Sequence, residues 1–401
     1  MALKAEANKA AGSVLYDPRY RSIFYQVAAL ALVVWVGWFL TDNTLTNMEQ
    51  RGIQSGFDFL NTTAGFGIIQ SLIPYSETST YGRAFLVSLI NTILVAGVGV
   101  LLATVIGFVV GVARLSHNWL ISKLATVYIE TFRNIPLLLQ IFFWYHAVLK
   151  PLPAPRAILE RGEVVTFSLN NRGLYLPRPV FDTGFDIILI ALAVAIAGTI
   201  FLSKWASKRQ MATGAQFPIF RTGLAIIVGL PLIAFGLVAL VEGGSPMHFD
   251  YPVMRGFQLS GGMPIIPEFI ALVLALSVYT AAFIAEIVRA GIESVSHGQT
   301  EAAHALGLRN GPTLRLIIIP QALRVIIPPL TSQYLNLTKN SSLATAIAYP
   351  DLVSVFAGTT LNQTGQALEI IMITMAVYLS LSLMTSTFMN WYNAKIALVE
   401  R

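Results

Sequence analysis

The sequence predicts an all-α polytopic membrane protein with about eight transmembrane helices. Two observations carry this. Of 401 residues, 55% are hydrophobic and only 11% are charged, against about 25% charged in an average soluble domain. The apolar residues also gather in runs of about 20, the length a helix needs to cross about 30 Å of hydrocarbon. These runs fall at 23–41, 84–112, 125–149, 186–202, 222–241, 267–288, 317–337 and 367–391.

The first run follows a tail, residues 1–22, that carries Lys4, Lys9, Arg19 and Arg21. Its outline is that of a signal peptide. The polar stretch ahead of it is long, however, and Thr41, Asp42 and Asn43 follow it where small cleavage-site residues would stand, so it reads as an uncleaved span. The second run carries Gly97, Gly99, Gly107 and Gly111, and the four-residue spacing of the last two lets helix backbones approach closely. The third run carries Glu130, Arg133 and Pro136. Its two charges, three residues apart, are expected to pair with each other. The segments 150–185 and 242–266 are rich in Pro and Gly and read as irregular connections. Arg324 in the seventh run is expected to snorkel to the surface, and Glu369 in the eighth to lie at the interface.

Cytoplasmic loops carry the excess of Lys and Arg. With the amino terminus inside, 15 of the 26 basic residues fall on inside segments and nine outside, with Arg133 and Arg324 left in spans. Both termini are therefore expected in the cytoplasm.

Several function classes have nothing to rest on. Cysteine is absent, so disulfides and thiolate metal sites are excluded. The net charge of +6 includes no cluster of like charges that would bind nucleic acid. None of the lysines follows a glycine, so a phosphate-cradling P-loop is missing. The histidines His117, His146, His248, His297 and His304 show no metal-helix spacing, and no G-x-S-x-G elbow occurs.

Polar side chains inside spans are costly and mark candidate function. Gln333, Asn336 and Asn340 are spaced i, i+3, i+7 and share a helical face, with Lys339, Ser341 and Ser342 beside them. Together with Asn91 and Thr92 they form the candidate translocation path. Helix-to-helix hydrogen bonding is the competing role for each.

Between the sixth and seventh runs lies EAAHALGLRNGPTLRLIIIP, Glu301 to Pro320. Good helix formers at 299–306 precede Gly307, which stands where a left-handed residue ends a helix. A turn through Asn310, Gly311 and Pro312 follows. The adjacent Ala302 and Ala303 give that short helix a low surface on which a partner's groove can close.

This stretch resembles the EAA loop of binding-protein-dependent ABC permeases, matching at Glu301, Ala302, Ala303, Gly307, Ile317 and Pro320, with Ile319 in place of Leu. NTILVA, YIETFRNIPLLLQIFFWY, AAFIAEIVRAGIESVSHGQTEAA and LNLTKNSSLA are similar to the polar amino acid branch. The likeness is greatest to the long general L-amino acid permeases. The resemblance implies a five-helix, MetI-like core within 84–391, interrupted by an insertion at 150–262. It is preceded by an extra first span and periplasmic loop at 23–83 and followed by a tail at 392–401. It further implies a permease subunit of the bacterial inner membrane that moves L-amino acids inward. No cofactor would bind this chain: ATP and Mg would be handled by a separate cytoplasmic ATPase dimer. Its coupling helix would include Gln299, Glu301 as the charged contact, Ala302 and Ala303 as the packing surface, Leu306, and Gly307 as the turn, with Ile317 and Pro320 completing the motif. A periplasmic amino-acid-binding protein, a second permease (a related chain or a second copy) and membrane lipid would be the other partners. Two readings from other classes stand beside it. One is an ion-coupled secondary carrier working alone, although the internal symmetry usual for such carriers is not visible. The other is a membrane enzyme or scaffold, which lacks a catalytic cluster.

Overall fold

The computed structural model describes residues 18–50 and 56–396. Most of the amino-terminal tail and the end of the carboxy-terminal tail lie outside the described residues. In chain order the helices begin with α1 (Pro18–Gln50), α2 (Tyr81–Arg114), α3 (Trp119–Asn134) and α4 (Leu137–Phe142), the last continued by a π-helical turn over Phe143–Leu149. There follow α5 (Pro155–Ile158), β1 (Ser168–Asn170), β2 (Gly173–Leu176), β3 (Arg178–Phe181), α6 (Phe185–Thr213) and α7 (Ile219–Val241). Next come β4 (Met247–Asp250), β5 (Val253–Arg255), β6 (Gln258–Ser260), β7 (Met263–Ile265) and α8 (Pro267–Glu293). The chain ends with α9 (His297–Ala305), α10 (Asn310–Thr313), α11 (Ile319–Asn340), α12 (Leu361–Thr364) and α13 (Ala367–Ile396).

Among the described residues, seven helices are long and apolar enough to cross a membrane. They agree with seven of the eight apolar runs. The remaining run, 125–149, is broken. Pro136 lacks an N–H and its ring disfavours helical geometry in the residue before it, and Ile135 accordingly turns extended at φ −93°, ψ 126°. Gln140 compensates for the break by donating from Nε2 to the carbonyls of Phe132 and Ile135, each at 3.0 Å. The two pieces still run along α8: the Tyr128 hydroxyl donates to the Val278 carbonyl at 2.8 Å and the Tyr145 hydroxyl to Glu268 at 2.6 Å.

The segments expected to be irregular contain short antiparallel ribbons instead: β1-β2-β7, β3-β4 and β5-β6. Pairs such as Val180 with His248 join residues on either side of the α6–α7 hairpin. Strands of three or four residues leave no readable alternation. Within the hairpin, Gly223 meets Thr199, whose Cγ2 would lie 2.8 Å from a Cβ at that glycine.

The chain forms two compact units, one of Met1–Thr92 with Pro350–Met384 and one of Ile93–Tyr349 with Thr385–Arg401. The first has an aromatic core in which Phe356 stacks on Phe59 at 6.2 Å and meets Phe85 edge-on at 5.1 Å. Its α1 is exposed wherever its side chains are described. The second unit is organised on α8, whose Ala271, Leu272, Ala275, Leu276 and Ile284 are wholly buried. Against α8, Gly107 and Gly111 of α2 replace side chains that would collide with Ile284 and with the Ala285 carbonyl, at 2.6 and 2.7 Å. The close approach expected from their four-residue spacing is present.

Candidate functional site

The helical run that ends in α11 carries Gln333, Asn336 and Asn340 on one face, as their spacing requires. That face meets Tyr279, Thr280 and Phe283 of α8, and the six residues line a cavity of about 290 Å³. The volume is at the small end of ligand pockets. Among the described residues none of the three amides has a hydrogen-bond partner on its side chain. They do not join helices to one another; their donors and acceptors face the space. Neutral amides, a hydroxyl at Thr280 and the Tyr279–Phe283 ring pair, 5.0 Å apart, give a wall that hydrogen-bonds without fixing a charge.

The neighbouring polar residues are elsewhere. Lys339 is exposed, the Ser341 hydroxyl donates to the Thr338 carbonyl at 2.8 Å, and that of Ser342 donates to the Lys339 carbonyl at 2.7 Å. Asn91 and Thr92, grouped with the path by sequence, are fully buried in the first unit. The Asn91 amide donates to the carbonyls of Gln70 and Pro350, both at 2.9 Å. The Thr92 hydroxyl accepts from the Leu352 N–H at 2.9 Å. Both fasten the turn at 350–352, satisfying backbone groups that would otherwise be buried unpaired.

Beyond Phe283, one turn further along α8, lies an ion network. Glu286 binds Arg114 and Arg289, Arg289 also binds Glu293, and Glu130 lies 3.9 Å from Arg114. Glu130 and Arg133 therefore do not pair with each other. The Arg133 guanidinium sits 5.3 Å over the Phe283 ring, a cation–π contact that favours this position for a charge near a span. Glu369, at the start of α13, is 3% exposed and accepts from the Gly56 N–H at 2.7 Å.

The loop after α8 places α9 at the surface. Gly307 takes φ +76°, the Gly307 N–H bonds the His304 carbonyl and the Leu308 N–H bonds that of Ala303. This is the paired bonding of a Schellman end, which needs a left-handed residue and so favours glycine. Glu301, Ala302, Ala305 and Leu306 face outward, with Leu306 82% exposed. Ala303 points inward at 1% exposure. The low surface expected of both alanines is therefore made by Ala302 with Ala305, because adjacent residues on a helix diverge by about 100°. Asn310, Gly311 and Pro312 do not make an irregular turn. They form the first turn, α10, of a helical run through Ile317 and Pro320 into α11, and a proline in a first turn loses no hydrogen bond.

Helices able to span a membrane, an unpartnered polar face between two of them and a surface helix on a glycine-terminated loop define a transport subunit. Residues 217–397 match the family described as the binding-protein-dependent transport system inner membrane component. The chain is 57% identical over 389 residues to the general L-amino acid transport system permease protein AapQ of Rhizobium johnstonii, covering 97% of this chain and 95% of that one. It is 44% identical, over the full length of both, to the glutamate/glutamine/aspartate/asparagine transport system permease protein BztB of Rhodobacter capsulatus. The chain belongs to this family of ABC importer permeases and is a transport subunit, with no support for the ion-coupled alternative.

Proposed function

We infer that this permease carries L-amino acids inward across the bacterial inner membrane through the Gln333–Asn336–Asn340 cavity. The observation that carries the reading is that three amides on one helix face line a single space and, among the described residues, have no side-chain hydrogen-bond partner. A zwitterion leaving water needs replacements for its hydration, and unpartnered amides supply donors and acceptors without the deep binding that a fixed charge would impose.

Energy for transport comes from an ATPase dimer that binds ATP and Mg and receives α9, with Glu301 and Leu306 as the outermost contacts. A periplasmic binding protein delivers the substrate. The second permease is a related chain, as the resemblance to the long general L-amino acid permeases implies. Both termini lie in the cytoplasm; the two-piece crossing at α3–α4 keeps the count of passages even, in agreement with the distribution of Lys and Arg.

The test is uptake of a labelled amino acid mixture into proteoliposomes holding the complete transporter. Asn336→Leu and Gln333→Leu are expected to reduce uptake about tenfold or more, since each leaves a passing polar group unpaired. Binding-protein-stimulated ATP hydrolysis should continue. Uptake at the wild-type rate in both variants would exclude this face from the path.

A further inference from the structure

At the root of α9 a guanidinium lies without a counter-charge. Arg324, in the second turn of α11, has a buried Nε with no acceptor, and among the described residues no ion pair or hydrogen bond holds its side chain. It borders a solvent-open cavity of about 330 Å³ whose other polar walls are Gln321, Gln299, Ser294 and Ser296. The Gln321 amide reaches Gln299 at 3.4 Å, so the two glutamines close one side. Ser296 stands at the N-cap of α9 but makes no capping bond with its side chain; the Gln299 N–H turns back to the Ser296 carbonyl at 3.0 Å, leaving the hydroxyl and the His297 and Gly298 amides available.

Burying part of an arginine without a partner is expensive unless something completes it. What this cleft offers is a forked cation, a hydroxyl and an uncapped helix start. That is the donor set for an oxyanion, and for phosphate above all, because the guanidinium fork matches two phosphate oxygens. The cavity opens at the end of a span, where phospholipid headgroups lie and where basic pockets between membrane helices take them. The geometry points to a phosphate-binding site at Arg324, filled by the headgroup of an anionic phospholipid. A headgroup here bridges the start of α9 to α11 and ties the surface helix to the cavity-lining helix. Only the identity of the leaflet rests on the cytoplasmic placement of α9; the binding itself does not.

Native mass spectrometry of the purified full-length chain in non-ionic detergent tests this without any transport measurement. Phosphatidylglycerol is titrated against phosphatidylcholine, with inorganic phosphate as a separate arm. One phosphatidylglycerol is expected to bind preferentially to wild type, with affinity about tenfold lower in Arg324→Gln. It should be unchanged in Arg315→Gln, which removes an exposed charge from the helical run leading into α11. Arg324→Lys, which keeps the charge and loses the fork, should fall between. Ser296→Ala/Gln321→Ala retains the arginine and should also weaken binding, which covers the case of Arg324→Gln failing to fold. Displacement of the lipid by inorganic phosphate in wild type alone would uphold the phosphate site while assigning it to a free anion. Equal lipid binding in wild type and the Arg324 and Ser296/Gln321 variants, or an equal loss in Arg315→Gln, would overturn it.

Discussion

A Cβ on Gly291 of α8 would stand 2.3 Å from Cγ1 of Ile326 on α11. The two helices touch there through backbone on one side and a buried isoleucine on the other, and no side chain fits between them. Gly291→Ala is therefore expected to destabilise the protein by about 1–3 kcal/mol, the usual cost of overpacking. Gly298→Ala, where nothing lies within 4 Å, should be neutral. Thermal unfolding in detergent checks the pair: a lowered midpoint for the first variant only.

Glu286 is shared by two arginines, and its own side chain is 25% exposed. Removing its charge leaves Arg114 with only the more distant Glu130, and breaking a partly buried pair costs more than the pair contributes when intact. Glu286→Gln should lower stability by about 2 kcal/mol. Arg114→Met/Glu286→Gln should be less unstable than the two single losses added together, because it leaves fewer orphan charges. Strict additivity in thermal unfolding would show that the contact carries no coupling.

How much of this was legible in the sequence differed by the range of the interaction involved. The spans could be read because hydropathy is local, and the Gln333–Asn336–Asn340 face because helical periodicity fixes it. The glycine end of α9 was equally plain, since φ > 0 singles out a residue type. The break at Pro136 fell inside a run read as one span, because hydropathy continues across it, and the compensation by Gln140 depends on where its side chain turns. Asn91 and Thr92 were grouped with the path because a polar side chain in a span has two possible roles, and their partners, more than 250 residues away at Pro350 and Leu352, leave no local signal. The buried Glu369 and the strand pairs across the α6–α7 hairpin also depend on distant neighbours. The Arg324 cleft joins two elements through a loop, and no motif marks it.

Gly307→Val tests whether α9 serves as a lever. A β-branched residue is strongly disfavoured at φ +76°, so the Schellman end would open and the outward face of Glu301, Ala302 and Leu306 would lose its fixed direction. The expected outcome is an inserted, folded protein in which uptake falls below about a tenth of wild type, with Glu301→Lys having a similar effect. Membrane fractionation controls for insertion. Wild-type uptake in both variants would separate transport from this helix.

The burial of Asp351 sets the sign of a pH dependence. The residue is 1% exposed and lies two residues before the π-helical segment Val353–Thr360, accepting the Ser354 N–H at 2.8 Å. Burial pushes its carboxyl up to about 7 from 3.8, while N–H bonds from Ser354 and Val353 and the Tyr378 hydroxyl pull the other way. The folded protein thus retains a proton that the unfolded chain releases near pH 4. The corresponding stability is complete below pH 4 and is lost as pH rises through about 7. Asp351→Asn keeps an oxygen to accept the Ser354 N–H but cannot ionise. Its unfolding midpoint relative to wild type should therefore rise between pH 5 and pH 8, by about 5 °C, and stay level above pH 8. A difference that does not change across that interval would show that Asp351 does not exchange its proton on folding.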